Sequence, residues 1–310
     1  MGFLGFANKE KKDFLNLIKS INLGEVEKFE NILKTGDFLS KHNEEGFTVL
    51  TLAVLLDEID IVQIILDNGG DINQIDDSGQ SSLHLAIKEE NIKMINFLIN
   101  NKANLELKTT AEHDSGNTPL HLACETGNIG VIKILLDKGV DVNIKNLENE
   151  TPLFSAVDVA PDKFNIDVLK YLVARGAKID IVSDSGWNIM HLAIFNENLE
   201  LVKYIVELGI FDIEAVDKDG STALLLALED AFFDIADYLI SQGASIHTVE
   251  TEYNSTALHI AVENDYINVV KYLVKKGINI NAKNTDDETA LDIAKRDGST
   301  DIITYLESLN

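Results

Sequence analysis

The chain has 310 residues, with 52 acidic against 26 basic side chains and a formal net charge of −26, a field that repels nucleic-acid phosphates and anionic lipid headgroups and favours a basic protein partner. Hydrophobic residues make up 45%, enough for a continuous core, yet no apolar run approaches the ~18 residues of a membrane span. The lone cysteine, Cys124, permits no internal disulfide and points to a reducing, cytoplasmic setting.

The opening residues Met1 to Ala7 are apolar but lack a basic n-region and run straight into Asn8-Lys-Glu-Lys-Lys-Asp13, so no secretory signal is expected. Phe6 stands where N-myristoylation requires Ser or Thr, which argues against a lipid anchor. Leu15 to Leu23 reads as one helix and Gly24 to Leu33 as a second, closed by Gly36. Polar residues replace apolar ones here, as expected of an end unit with one face lacking a neighbour.

From residue 48 onward one hexad recurs. It is clearest as Thr118-Pro-Leu-His-Leu-Ala123 and returns in reduced form at Thr48, Ser81, Thr151, Asn188, Thr222, Thr256 and Thr289. The closing residues Ala53, Ala86, Ala123, Ala156, Ala193, Ala227, Ala261 and Ala294 step by 33, 37, 33, 37, 34, 34 and 33 residues. Thr118 can cap a helix whose first turn accepts Pro119. Leu120, Leu122 and Ala123 then face inward. Ile129, Ile132, Leu135 and Leu136 follow at helical spacing, and Gly139 is placed for a left-handed cap. Helices of ~8 to 10 residues do not stand alone, so stacking must hold them, and the small alanines let neighbouring layers approach.

The longer steps place insertions at Thr109 to Gly116 and at Asp158 to Phe164. Lys102 takes the place of the closing glycine. Asp57, Glu90, Glu197, Ala231 and Asp265 take that of the glycine between helices, which leaves those turns open.

The hexad and its period resemble the ankyrin repeat, and the resemblance covers nearly the whole chain. It implies an all-α solenoid of helix-turn-helix units with β-hairpin-like fingers, about nine repeats including caps. One domain over residues 1–310 is expected, with an N-terminal segment and cap at 1–36, internal repeats at 37–283 and a C-terminal cap at 284–310. It further implies a non-enzymatic module that grips another protein in a concave groove formed by the fingers and the exposed faces of the first helices.

No phosphate-binding glycine loop, His-Glu-x-x-His pair, zinc-spaced cysteines or Gly-x-Ser-x-Gly elbow occurs. No catalytic residue, cofactor or metal is therefore expected, and the chain is read as a monomer without nucleic-acid or membrane partners. His84, His121, His191 and His259 hold one motif position. Layers ~10 Å apart would keep them from sharing a metal, so a structural role is expected. The acidic pairs Asp76-Asp77, Glu148 with Glu150, Asp217 with Asp219, Glu250 with Glu252 and Asp286 to Glu288 fall in the fingers and are read as solvated tips. The alternative to a binding module is a small regulatory enzyme or ligand-binding solenoid with its site at the insertions, near His113 and Lys163.

Two slots should face the groove. The one before the motif Thr reads Phe47, Gln80, Asn117, Glu150, Trp187, Ser221, Ser255 and Glu288. The pair of positions shortly past the closing alanine reads Leu55-Leu56, Lys88-Glu89, Glu125-Thr126, Asp158-Val159, Phe195-Asn196, Glu229-Asp230, Glu263-Asn264 and Lys295-Arg296. Trp187 and Phe195 share a repeat and are ringed by Asp184, Asp219, Glu229 and Asp230, which is the composition of an interface hot spot for a basic segment. Phe47 and Tyr253 complete the candidate set. Trp187 could instead fold back over Ile189 and Met190, and Phe47, Leu55 and Leu56 could be covered by Phe3, Leu4 and Phe6. The Asn-, Ile- and Lys-rich usage also fits a bacterial effector secreted into a host cell.

Overall fold

The computed structural model describes residues 8–110, 115–159, 164–184, 186–209, 211–217, 220–250 and 253–309. Among these residues the chain forms eighteen helices and no named strand. The first ten are α1 (Asn8–Asn22), α2 (Val26–Leu33), α3 (Val49–Leu55), α4 (Ile59–Asp67), α5 (Ser82–Lys88), α6 (Ile92–Asn100), α7 (Pro119–Glu125), α8 (Ile129–Asp137), α9 (Pro152–Val157) and α10 (Ile166–Ala174). The remainder are α11 (Ile189–Phe195), α12 (Leu199–Glu207), α13 (Ala223–Glu229), α14 (Phe233–Ser241), α15 (Ala257–Glu263), α16 (Ile267–Lys276), α17 (Ala290–Asp297) and α18 (Thr300–Glu307). The fold is an all-α repeat solenoid.

The helices gather into two compact units, the first ending at Ala177 and the second starting at Lys178. In the first, α1 packs on α3, α3 on α5, α5 on α7 and α7 on α9. In the second, α11 packs on α13, α13 on α15 and α15 on α17. Each first helix also packs on its own second helix. Ala53, Ala86, Ala123, Ala193, Ala227, Ala261 and Ala294 are each at most 1% exposed, which is why the motif closes on the smallest side chain that still favours a helix. Among the described residues, no helix is long and apolar enough to cross a membrane.

The N-terminal helix is longer than the sequence suggests, starting at Asn8 rather than near Leu15. The charged run from Lys9 to Asp13 consists mostly of good helix formers, with Glu10 in the first turn and Lys19 in the last, both favourable to the helix dipole. Phe14, Leu17 and Ile21 make its buried stripe. The second helix begins at Val26, because Gly24 adopts φ +63° and turns the chain.

The fingers are closed by isolated antiparallel bridges, His42 with Thr48, Ile75 with Ser81, Val216 with Thr222, Val249 with Thr256 and Lys283 with Thr289. The turns that lost their glycine keep the left-handed geometry. Asp57, Glu90, Glu197, Ala231 and Asp265 have φ of 58°, 52°, 51°, 59° and 55°, beside 71° at Gly127 in the equivalent place, and Lys102 has 67°. Stacking thus overrides the Cβ penalty. Asp57 and Glu90 recover part of it, since their carboxylates accept from the Nδ2 of Asn91 (2.8 Å) and of Asn128 (2.6 Å) in the next repeat.

The second helices carry a further link between layers. In the first unit Lys133 lies over the ring of Tyr171. In the second, Lys203 lies over Tyr238 and Lys271 over Tyr305. Tyr272 instead donates its hydroxyl to Asp237 (2.8 Å), which also pairs with Lys276 (2.6 Å).

Candidate functional site

In several fingers of the described residues one side chain organises the turn. Oδ1 of Asn43 accepts the backbone N–H groups of Glu45 and Phe47, and Oδ1 of Asn146 those of Glu148 and Glu150. Asp76 does the same for Ser78 and Gln80, and Asn284 for Asp286 and Glu288. This corrects the picture of uniformly solvated acids. Asp76 and Asp217 are 4% and 9% exposed and hold turns, whereas Asp77 is exposed and pairs with His42 of the preceding finger. Adjacent residues of one type separate because the first faces the amides of its own turn.

The motif histidines complete the frame. Nδ1 of His84, His121, His191 and His259 faces the backbone N–H of Ser81, Thr118, Asn188 and Thr256 at 3.0 to 3.3 Å, and so must accept. The proton therefore sits on Nε2, which donates to the carbonyls of Leu107 (2.9 Å), Glu150 (3.1 Å) and Glu288 (3.2 Å) from His84, His121 and His259 respectively. Burial disfavours the imidazolium, lowering His121 to about 4 and pushing His191 and His259 down as well. Burial likewise pushes the thiol of Cys124 up, so it is an inert core residue.

In some layers residues of the two slots meet. In the first unit, Asn117 and Glu150 from one slot and Glu125 and Asp158 from the other line a polar cleft of about 190 Å³, floored by Phe154 and Ser155. In the second unit the same slots bring Trp187 and Phe195 together, with ring centroids 5.4 Å apart at an interplanar angle of 64°. Trp187 is half-buried, its backbone carbonyl accepting the Ser183 N–H (2.8 Å) to close the finger. Phe195 is 62% exposed at the end of α11, while Ile189 and Met190 are wholly buried.

Glu229 and Asp230 are exposed at the end of α13, one layer on. The Glu229 carboxyl is raised by burial and then by the negative charges of Asp230 and Asp217. Glu263 is raised by burial too, but the nearby guanidinium of Arg296 opposes the shift. Asp184 is exposed on the Trp187 finger. Tyr253 is 54% exposed, its carbonyl accepting the Thr285 N–H (2.9 Å). Phe47 is half-buried and belongs to the first unit, as do half-buried Leu55 and Leu56, which is 42% exposed. Asp219, His113 and Lys163 lie outside the described residues, as do Phe3, Leu4 and Phe6. A cleft of about 180 Å³ that sequence reasoning missed opens between α1 and the first finger, lined by Phe14, Leu15, Ile18 and Leu52 with Glu44 and Glu45. The signal was the α1 stripe, obscured by placing that helix too late.

The profile described as ankyrin repeats (3 copies) matches residues 17–109, 106–181, 159–250 and 235–309. The chain belongs to the ankyrin repeat family. No curated protein matches it. Ankyrin repeats are generally protein–protein interaction modules, and in this ankyrin protein the hexad serves caps, turns and stacking.

Proposed function

We propose that this ankyrin protein is a non-enzymatic binding module that receives a basic protein or peptide segment on the finger face of its second unit, anchored by Trp187 and Phe195. The observation that carries this reading is the aromatic pair itself, two large rings in edge contact with Phe195 62% exposed; exposed Asp184 on the same finger and exposed Glu229 and Asp230 in the next repeat support it. Aromatic anchors dominate interface energetics, and like charges clustered beside them select the opposite sign in a partner.

The test is affinity capture at low and high salt with the wild type and with a Trp187→Ala/Phe195→Ala double variant, matched for thermal melts. The expected bound fraction is basic, weakened by salt and mostly lost with the double variant. Unaltered recovery by a folded double variant removes the proposal.

A further inference from the structure

Positions equivalent to Phe195 in the next layers of the second unit are Glu229, Glu263 and Arg296, and those equivalent to Trp187 are Ser221, Ser255 and Glu288. In the last layer the chain fills both slots with an ion pair, Arg296 Nη1 donating to Glu288 at 2.6 Å. That guanidinium also offsets the charge of Glu263. One layer further back, the charges acting on Glu229 are Asp230 and Asp217, both negative. The chain therefore supplies an arginine at one end of this column and leaves at the other an exposed ring, with the Glu229 carboxylate at the equivalent position one layer on.

We infer that the group this site receives is an arginine side chain of the partner, its guanidinium flat on the exposed face of Phe195 and its N–H edge directed at Glu229. This rests on the reading above and specifies its chemistry. The rings stand at 64°, so Trp187 and Phe195 meet edge to face and are not stacked. Equivalent positions in neighbouring layers are ~10 Å apart, a gap that a stacked guanidinium and a glutamate leaning toward it share between them. A guanidinium is planar, weakly hydrated and presents donors at its edge, so it can stack and bond a carboxylate at once. A lysine ammonium is a compact, strongly hydrated point charge and satisfies one requirement at the expense of the other.

Trp187 is the only tryptophan in the chain, which gives the site its own reporter. The probe is an Arg-Gly-Ser repeat peptide of about a dozen residues, compared with the same repeat carrying lysine or citrulline, and followed by Trp187 fluorescence and by calorimetry. The arginine peptide is expected to bind about fivefold more tightly than the citrulline peptide, the size of one cation stacked on an exposed ring, with the lysine peptide in between. Phe195→Leu keeps apolar bulk but has no π face, and Glu229→Gln keeps shape but has no charge; each is expected to abolish the preference for arginine over lysine. Equal binding of the arginine and lysine peptides, binding of citrulline as strong as arginine, or a preference that survives Phe195→Leu overturns the inference, as does the absence of any saturable response. If capture of a partner still depends on Trp187 and Phe195 in those cases, the binding module stands and only the arginine assignment falls.

Discussion

His121 joins two layers of the first unit, accepting the Thr118 N–H at Nδ1 and donating from Nε2 to the Glu150 carbonyl at 3.1 Å. The bond accepted at Nδ1 requires the neutral ring, and the folded protein holds it neutral down to about pH 4 against an ordinary value of 6.5. Between these values the unfolded chain binds a proton that the folded chain does not, so stability rises with pH across the window. The contribution is complete above pH 6.5 and is lost as pH falls toward 4, on the order of 3 kcal/mol for His121. Urea midpoints at pH 7.5, 6 and 5 measure it. His121→Gln is expected to be less stable at pH 7.5 and to have a shallower slope through the window; a parallel slope contradicts the assignment.

Ala231 bears its left-handed φ of 59° without compensation, unlike Asp57 and Glu90, whose carboxylates bond the next repeat. Ala231→Gly is expected to stabilise the protein by about 1 kcal/mol, because the relieved Cβ clash outweighs the added freedom of the unfolded chain. Gly127→Ala in the equivalent turn should cost a similar amount. Chemical denaturation of the two variants reads both signs.

Ala123 is wholly buried in α7, which packs on α5 and α9. Ala123→Leu would force layers apart and is expected to cost about 1–3 kcal/mol or more, seen as a lower melting temperature with the helical spectrum retained. A variant as stable as wild type would mean that the alanine column does not set the spacing.

The frame was legible because stacking demands the same small residue at the same place every 33 or so positions, and the chain obeys that from Ala53 to Ala294. The meeting of Trp187 with Phe195 was legible only through the repeat. Eight residues separate them, a spacing no single helix or strand brings together, and they meet because finger and helix end share a face. The left-handed turns were not legible, since Asp57 or Glu197 in isolation favours right-handed φ and only the layers above and below force the alternative. Nor was the fate of Asp76 against Asp77, which depends on which carboxylate faces the turn amides. The lysine–tyrosine contacts of Lys133 with Tyr171, Lys203 with Tyr238 and Lys271 with Tyr305 join successive repeats, at positions that periodicity alone assigns to the solvated side of a helix.

Asp76 and Asn146 do one job in two fingers, with a different outcome. Asn146 turns its Oδ1 to the finger amides and uses Nδ2 to donate to Asn117 (3.1 Å) and to the Glu150 carboxylate (3.0 Å), four residues on. Asp76 makes the same turn bonds, but its Oδ2 is buried without a partner, as is Oε1 of Gln80, four residues on. Two acceptors are thus left where the other finger has a donor and an acceptor. Asp76→Asn places Nδ2 where it can donate to Gln80 Oε1, satisfying both atoms and removing a buried charge. The expected gain is about 1 kcal/mol or more, read from the denaturation midpoint at neutral pH. Asn146→Asp should lose at least as much, because its new oxygen would face the Asn117 carbonyl and the Glu150 carboxylate. Opposite signs for these two substitutions are the required result; a loss from Asp76→Asn would show that the buried carboxylate is held by something the turn bonds do not supply.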